Sequence, residues 1–141
     1  MKLITATPYG TPGAFPGGLV KLPYARPVTV DEVVALCLVK PGAEETYPWG
    51  DAELVAKVGG KAFAFIGLFA GTVGLKCGAS AEEAAEWRDR YPGDITISAY
   101  IGRHGWNRVV IGGAVPDDDL LELLDISYDA IVAKLPKSRR P

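Results

Sequence analysis

Between Pro116 and Pro136 the chain encodes one long amphipathic helix, and that helix dictates what the remaining residues must supply. Leu120, Leu124, Tyr128 (with Ser127 beside it), Ile131 and Leu135 recur at the helical period, so one face is an apolar stripe. Each such side chain contributes roughly 1.5–3 kcal/mol when buried, before conformational entropy is subtracted. Asp117 reads as the N-cap, and Asp118, Asp119 and Glu122 set negative charge against the positive helix start. Lys134 stands at the other end, and Pro136 forbids continuation. A stripe this long needs a broad apolar surface to lie on.

Strands supply that surface. Residues 53–58 and 61–68 are two strand-like runs joined by Gly59-Gly60, a pair suited to a type I′ turn because both central positions need positive φ. Val58 then opposes Lys61. With regular pairing Leu54, Ala56, Val58, Phe63 and Phe65 share one face, and Val55, Lys57, Ala62, Ala64 and Ile66 share the other; the Leu/Phe side is the better core candidate. Ala70-Gly71 turns the chain into a third strand over 72–77. Residues 94–100 (DITISAY) alternate, with Ile95, Ile97 and Ala99 on one side, and pair through the loop 102–105 with a strand over 106–111. If Ile101 opposes Trp106, Trp106 and Val110 join the isoleucine face; a bulge sends Val109 and Ile111 inward instead, and alternation leaves both open.

Two further helices are announced by their caps. Thr29-Val30-Asp31-Glu32 and Ser80-Ala81-Glu82-Glu83 both have capping-box spacing, and Pro41-Gly42 and Pro92-Gly93 end the helices they open. Residues 44–50 (EETYPWG) are extended or looped, with Pro48 excluding a central strand. The order α-β-β-β-α-β-β-α predicts a two-layer α+β fold, α-β(3)-α-β(2)-α, with an antiparallel sheet covered by helices. Residues 1–27 stand apart: prolines at 8, 12, 16, 23 and 27 and glycines at 10, 13, 17 and 18 predict an irregular arm, which Tyr9, Phe15 and Tyr24 could anchor. The domain proper is expected over 28–141.

Composition narrows the function classes. A net charge of −2 gives no global attraction to nucleic acid or to anionic membrane. No apolar run approaches the ~18 residues that span a bilayer, and the proline-interrupted N-terminus does not resemble a secretory signal, so a cytoplasmic protein without a membrane partner is expected. Cys37 and Cys77 fall in helical and strand patterns and read as small buried hydrophobes rather than a disulfide. One histidine rules out a Cys/His zinc site. His104, flanked by charged and tyrosine side chains, is a plausible proton carrier. However, there is no second histidine, G-x-S-x-G elbow or phosphate loop, and the expectation is a non-enzymatic protein with no cofactor and no metal.

From Thr29 onward several short pieces fall in a recognisable order: Pro41-Gly42-Ala43-Glu44-Glu45, Tyr47-Pro48-Trp49-Gly50, Lys57-Val58-Gly59-Gly60-Lys61, Leu75-Lys76, Tyr91-Pro92-Gly93 and Gly105-Trp106-Asn107-Arg108-Val109. Val115-Pro116-Asp117, Ser127-Tyr128-Asp129 and Ala133-Lys134-Leu135-Pro136 complete it. In this order and spacing the chain resembles the MmcQ/YjbR family. The resemblance implies the same fold, similar to secretion chaperones and loosely to the frataxin-type (CyaY-like) sheet. It also implies DNA binding through a proposed "double wing" sheet surface. One departure is that relatives place His directly before the Trp, where this chain has Gly105 and carries His104 one position earlier.

Charge and ring type then nominate contacts for DNA. Lys57, Lys61 and Lys76 on the strands, Arg103, His104 and Arg108 around the 102–105 loop, and Lys137, Arg139 and Arg140 in the tail are candidate phosphate contacts. Tyr100 and Trp106 could offer stacking surfaces. The plainer reading assigns Trp106 to the core, the sheet lysines to solvated edges and the basic tail to a frayed helix end. A protein partner or a homodimer is the alternative, suited by the acid-rich helix 117–129 and the wet strand edge, and Trp49 would be its hot spot if exposed.

Overall fold

The computed structural model describes residues 27–141. The N-terminal arm anticipated from the sequence therefore lies, apart from Pro27, outside the described residues. Three helices and six strands follow in the order α1 (Val30–Leu38), β1 (Ala43–Thr46), β2 (Glu53–Val58), β3 (Lys61–Gly67), β4 (Thr72–Lys76), α2 (Ala81–Arg90), β5 (Ile95–Ile97), β6 (Trp106–Val110) and α3 (Asp117–Lys134). The sheet is antiparallel throughout, with spatial order β1-β2-β3-β4-β6-β5. This is the expected α+β architecture with one strand added: β1 extends the edge beside β2 and ends before Pro48, which sits in the turn that follows. Glu44 and Glu45 at that edge are exposed, which guards its unpaired groups against association.

The caps behave largely as their chemistry requires. Thr29 accepts from the Glu32 amide while Glu32 reaches back to the Thr29 amide, closing the box that starts α1. Ser80 caps α2 by accepting from the Glu83 amide, but the Glu83 carboxylate takes the Ala79 amide instead of that of Ser80. In α3 the cap position belongs to Pro116, whose side chain makes no capping bond; Asp117 is the first helical residue, and its carboxylate accepts from the Val28 amide. The triple aspartate thus stabilises the helix start through its dipole and ties in the segment leading to α1. At the far end the tail does not fray. A 3-10 turn over Lys137–Arg139 folds back, and the Arg140 guanidinium donates to the carbonyls of Leu135 and Ala133, satisfying groups that the helix end leaves open.

All three helices lie on one side of the sheet. The core there unites Val33 and Cys37 of α1, Leu54, Ala56 and Val58 of β2, Phe63, Ala64 and Ile66 of β3, and Val73 and Leu75 of β4. Ala84 and Trp87 of α2, Ile95, Val109, and Leu120, Leu123, Leu124, Tyr128 and Ile131 of α3 close it. The Gly59-Gly60 turn has the expected positive φ values of 57° and 85°, and Val58 faces Lys61.

The predicted faces of β3 require correction. The pairing shifts between Ala56 and Lys57, so that Ala56 faces Ala64 while Lys57 faces Ala62, and Phe63 is the extra residue of a β-bulge. Phe63 turns into the core against Tyr128, ring centroids 5.2 Å apart and edge to face. Beyond the bulge the alternation is inverted. Ala64 and Ile66 join the core, and Phe65 is sent to the opposite face, beside Val55. The bulge also pulls β3 away from β4, and Ser127 of α3 fills the gap. Its hydroxyl donates to the Phe63 carbonyl at 2.6 Å and accepts from the Lys76 amide at 2.9 Å, replacing a missing rung of the ladder. At the other edge β5 is shorter than the alternation suggests, and Ile97 is largely exposed. Ile95 pairs with Val109, so Val109 shares the core face while Trp106 and Val110 point the other way.

Candidate nucleic-acid interface

The opposite sheet face carries no helix among the described residues. Cross-strand partners share a face, so one row runs across it from Thr46 through Val55, Phe65, Gly74 and Arg108 to Thr96. Gly74 matters for its lack of a side chain: a Cβ there would lie 3.4 Å from the Phe65 Cβ and 3.6 Å from its ring. Phe65 uses that room to reach Trp106, centroids 5.3 Å apart at 69°. On its outer side Trp49 stacks at 6.1 Å with the rings tilted by 22°. The result is an aromatic chain, Trp49–Phe65–Trp106, across an open sheet.

Local turn chemistry presents Trp49. Pro48 takes the second position of a four-residue turn closed by the Gly50 amide donating to the Tyr47 carbonyl, which leaves Trp49 at the third position, pointing outward. Its ring is 68% exposed, whereas Trp106 is only 8% exposed. The surroundings of the turn are acidic. The Tyr47 hydroxyl donates to Glu45, and this bond, with Asp51 nearby, pushes the phenol pKa up.

Nine of the residues nominated from sequence fall into three groups, with Lys76 and Trp106 set apart from them. Lys57 and Arg108 lie on the open face, flanking Phe65 from β2 and β6. Three strand steps and a two-residue offset along the strands separate them, about 16 Å at the usual spacing. Tyr100, Arg103 and His104 cluster at the connection from β5 to β6, where a 3-10 turn over Gly102–His104 ends on Gly105 at φ 90°. Tyr100 there is 94% exposed and holds the left-handed φ of 65°. Lys61, Lys137, Arg139 and Arg140 gather at the β2–β3 turn, since a Cβ on Gly59 would meet the Arg139 carbonyl at 3.1 Å.

Two nominated cations are committed elsewhere. Arg140 caps α3 as described above. Lys76 alternates onto the open face yet is only 3% exposed, and its ammonium donates to the His104 carbonyl. Burial is the main reason its pKa is lowered; Lys134 lowers it further and Glu83 opposes the shift. Trp106 is buried, as the plainer reading held, but within the aromatic chain of the open face and not under the helices. Phe65 and Gly74 escaped the sequence reading because nothing in Lys61-Ala62-Phe63-Ala64-Phe65 marks the bulge. For Trp49 the Pro-Trp-Gly turn signal was present, but turn chemistry alone does not fix exposure.

The two thiols offer no chemistry. Cys37 is buried and its pKa is pushed up to about 12; burial likewise raises Cys77 to about 11. Among the described residues no group of His, Cys, Asp or Glu could hold a metal ion, and no helix is long and apolar enough to cross a membrane.

Comparison with known proteins agrees with this architecture. The YjbR family model matches residues 38–130. The Escherichia coli proteins from strains K12 and O157:H7, both named "Uncharacterized protein YjbR", are each 28% identical over 115 residues, covering 80% of this chain and 95% of theirs. The crystal structure of the Deinococcus radiodurans protein DR2400, of the domain family DUF419, superposes with a TM-score of 0.71 at 30% identity. It covers 79% of this chain and 85% of that one. Matched along two-thirds of its length by the family model and sharing its fold with that crystal structure, the chain belongs to the YjbR family.

Proposed function

We propose that this protein is a non-enzymatic, cytoplasmic DNA-binding protein that holds the phosphate backbone weakly through the open face of its sheet. The observation that carries this reading is the placement of Lys57 and Arg108 on the face that no helix covers among the described residues, on either side of an aromatic chain. With a chain charge of −2, attraction has to be local; Arg108 supplies it, joined by Lys57, whose cross-strand neighbour on β1 is Glu44. Lys61 at the β2–β3 turn and Arg103 at the β5–β6 connection are further exposed cations. No cofactor enters this reading.

Fluorescence anisotropy of labelled DNA at ~50 and ~200 mM salt tests it, because each neutralised phosphate steepens the salt dependence by nearly one logarithmic unit. Binding that weakens at least tenfold between those salts, with a shallower slope in a Lys57→Ala/Arg108→Ala double variant, is expected. Absence of binding at the lower salt overturns the proposal. A second reading, a protein-interaction module or homodimer, is favoured by the exposure of Trp49 and Phe69. Sedimentation showing a dimer that Trp49→Ala dissolves would support it over the first.

A further inference from the structure

The open face has a feature that contact with duplex phosphates does not use. Trp49 presents one ring face to Phe65 and leaves the other to solvent, so the aromatic chain has a free end. Bases in a duplex are paired and stacked on one another, and a surface tryptophan reaches them only if they are extruded. Unpaired bases stack on such a ring directly, with little dependence on sequence. A major groove about 12 Å wide admits a helix or a two-stranded ribbon, and the face of a six-stranded sheet fits neither description.

Resting on the nucleic-acid reading above, we infer that the ligand of this face is single-stranded DNA, with one unpaired base stacked on Trp49 and the adjoining phosphates over Lys57 and Arg108. Charge orients the strand. Glu44 on the edge strand, directly across from Lys57, and Asp51 by the turn repel phosphate, whereas Arg108 lies three strands further in on β6. The base therefore points to the turn and the backbone lies away from it. Deoxyribose suits the path because Phe65 and Gly74, the half-buried residues that separate the turn from Arg108, present no side-chain hydrogen-bonding group to a ribose 2′-hydroxyl.

The test compares three fluorescein-labelled probes of equal length at low salt: oligo(dT), a mixed-sequence DNA duplex and oligo(U). Full-length protein should bind oligo(dT) more tightly than either of the others. Trp49→Ala should weaken oligo(dT) binding about tenfold, the loss of one stacked base, while duplex affinity stays within about twofold. Trp49→Phe should restore most of the loss. Because Trp49 is exposed, these variants keep the wild-type fold, which circular dichroism verifies. If Trp49→Ala leaves oligo(dT) affinity unchanged while the Lys57→Ala/Arg108→Ala variant lowers it, the stacking inference falls and phosphate binding stands. Tighter binding of duplex overturns the single-strand assignment, and tighter binding of oligo(U) overturns the choice of DNA. No binding of any probe overturns both this inference and the reading beneath it.

Discussion

The two faces of the sheet solve opposite problems with the same strands. On the helix side the buried polar side chains have been matched. Asn107, fully buried, donates to the Ala84 carbonyl at 2.9 Å and accepts from Arg88 at 2.7 Å, and Ser127 bridges the two backbones that the bulge separates. Among the described residues no buried side-chain nitrogen or oxygen lacks a partner. On the open side a tryptophan that could have been buried is held out in water, one glycine keeps the sheet clear for Phe65, and two cations flank it. The first face packs beneath the helices, the second sets buried Val55 and Trp106 beside exposed Trp49 and Arg108, and the β-bulge at Phe63 divides the residues of β3 between them.

That division can be tested by substitution, starting where the effect is largest. Phe63→Ala removes a buried ring from the core and should cost about 3–5 kcal/mol in urea unfolding. Ser127→Ala leaves the Phe63 carbonyl and the Lys76 amide unpaired in the interior and should cost about 3 kcal/mol. On the proposal of DNA binding, this variant's affinity under native conditions should equal that of the wild type, and a loss would mean that the two faces are coupled.

Alkaline pH probes Cys37 on the helix side. Folding raises the Cys37 pKa from 9.0 to about 12, so the unfolded chain releases this proton first. The contribution is fully present below pH 9 and is lost as pH rises toward 12, at about 1 kcal/mol per pH unit. A Cys37→Ala variant should show a shallower decline over that range, and neither native thiol should react with a thiol reagent at pH 8. Thr29→Ala opens the capping box of α1 and should cost about 1 kcal/mol. The smallest change sharpens the comparison most: Trp49→Ala should alter stability by less than about 0.5 kcal/mol, as an exposed side chain does. A larger loss would make the aromatic chain part of the core and break the distinction between the faces.

Much of this molecule was legible in local chemistry, and what was missed has a common cause. The stripe of α3, the Gly59-Gly60 turn and the boxes at Thr29 and Ser80 could be read because each depends on residues within a few positions of one another. The bulge at Phe63, the inversion of Phe65, the inward turn of Lys76 and the capping role of Arg140 depend on partners 5 to 64 residues away. Such pairings leave no period in the chain. The candidate site was legible as a set of cations and rings, but the spatial grouping of its members was not.

The sequence by itself determined the fold class, the antiparallel sheet, the helices with most of their ends, and the burial of both cysteines, because propensity, period and turn geometry act over short distances. Tertiary structure alone decided which rings meet, which cations remain free and which face stays open. A one-residue shift in strand pairing moves every later side chain to the other side, and only packing against Tyr128 and Ser127 fixes where that shift falls.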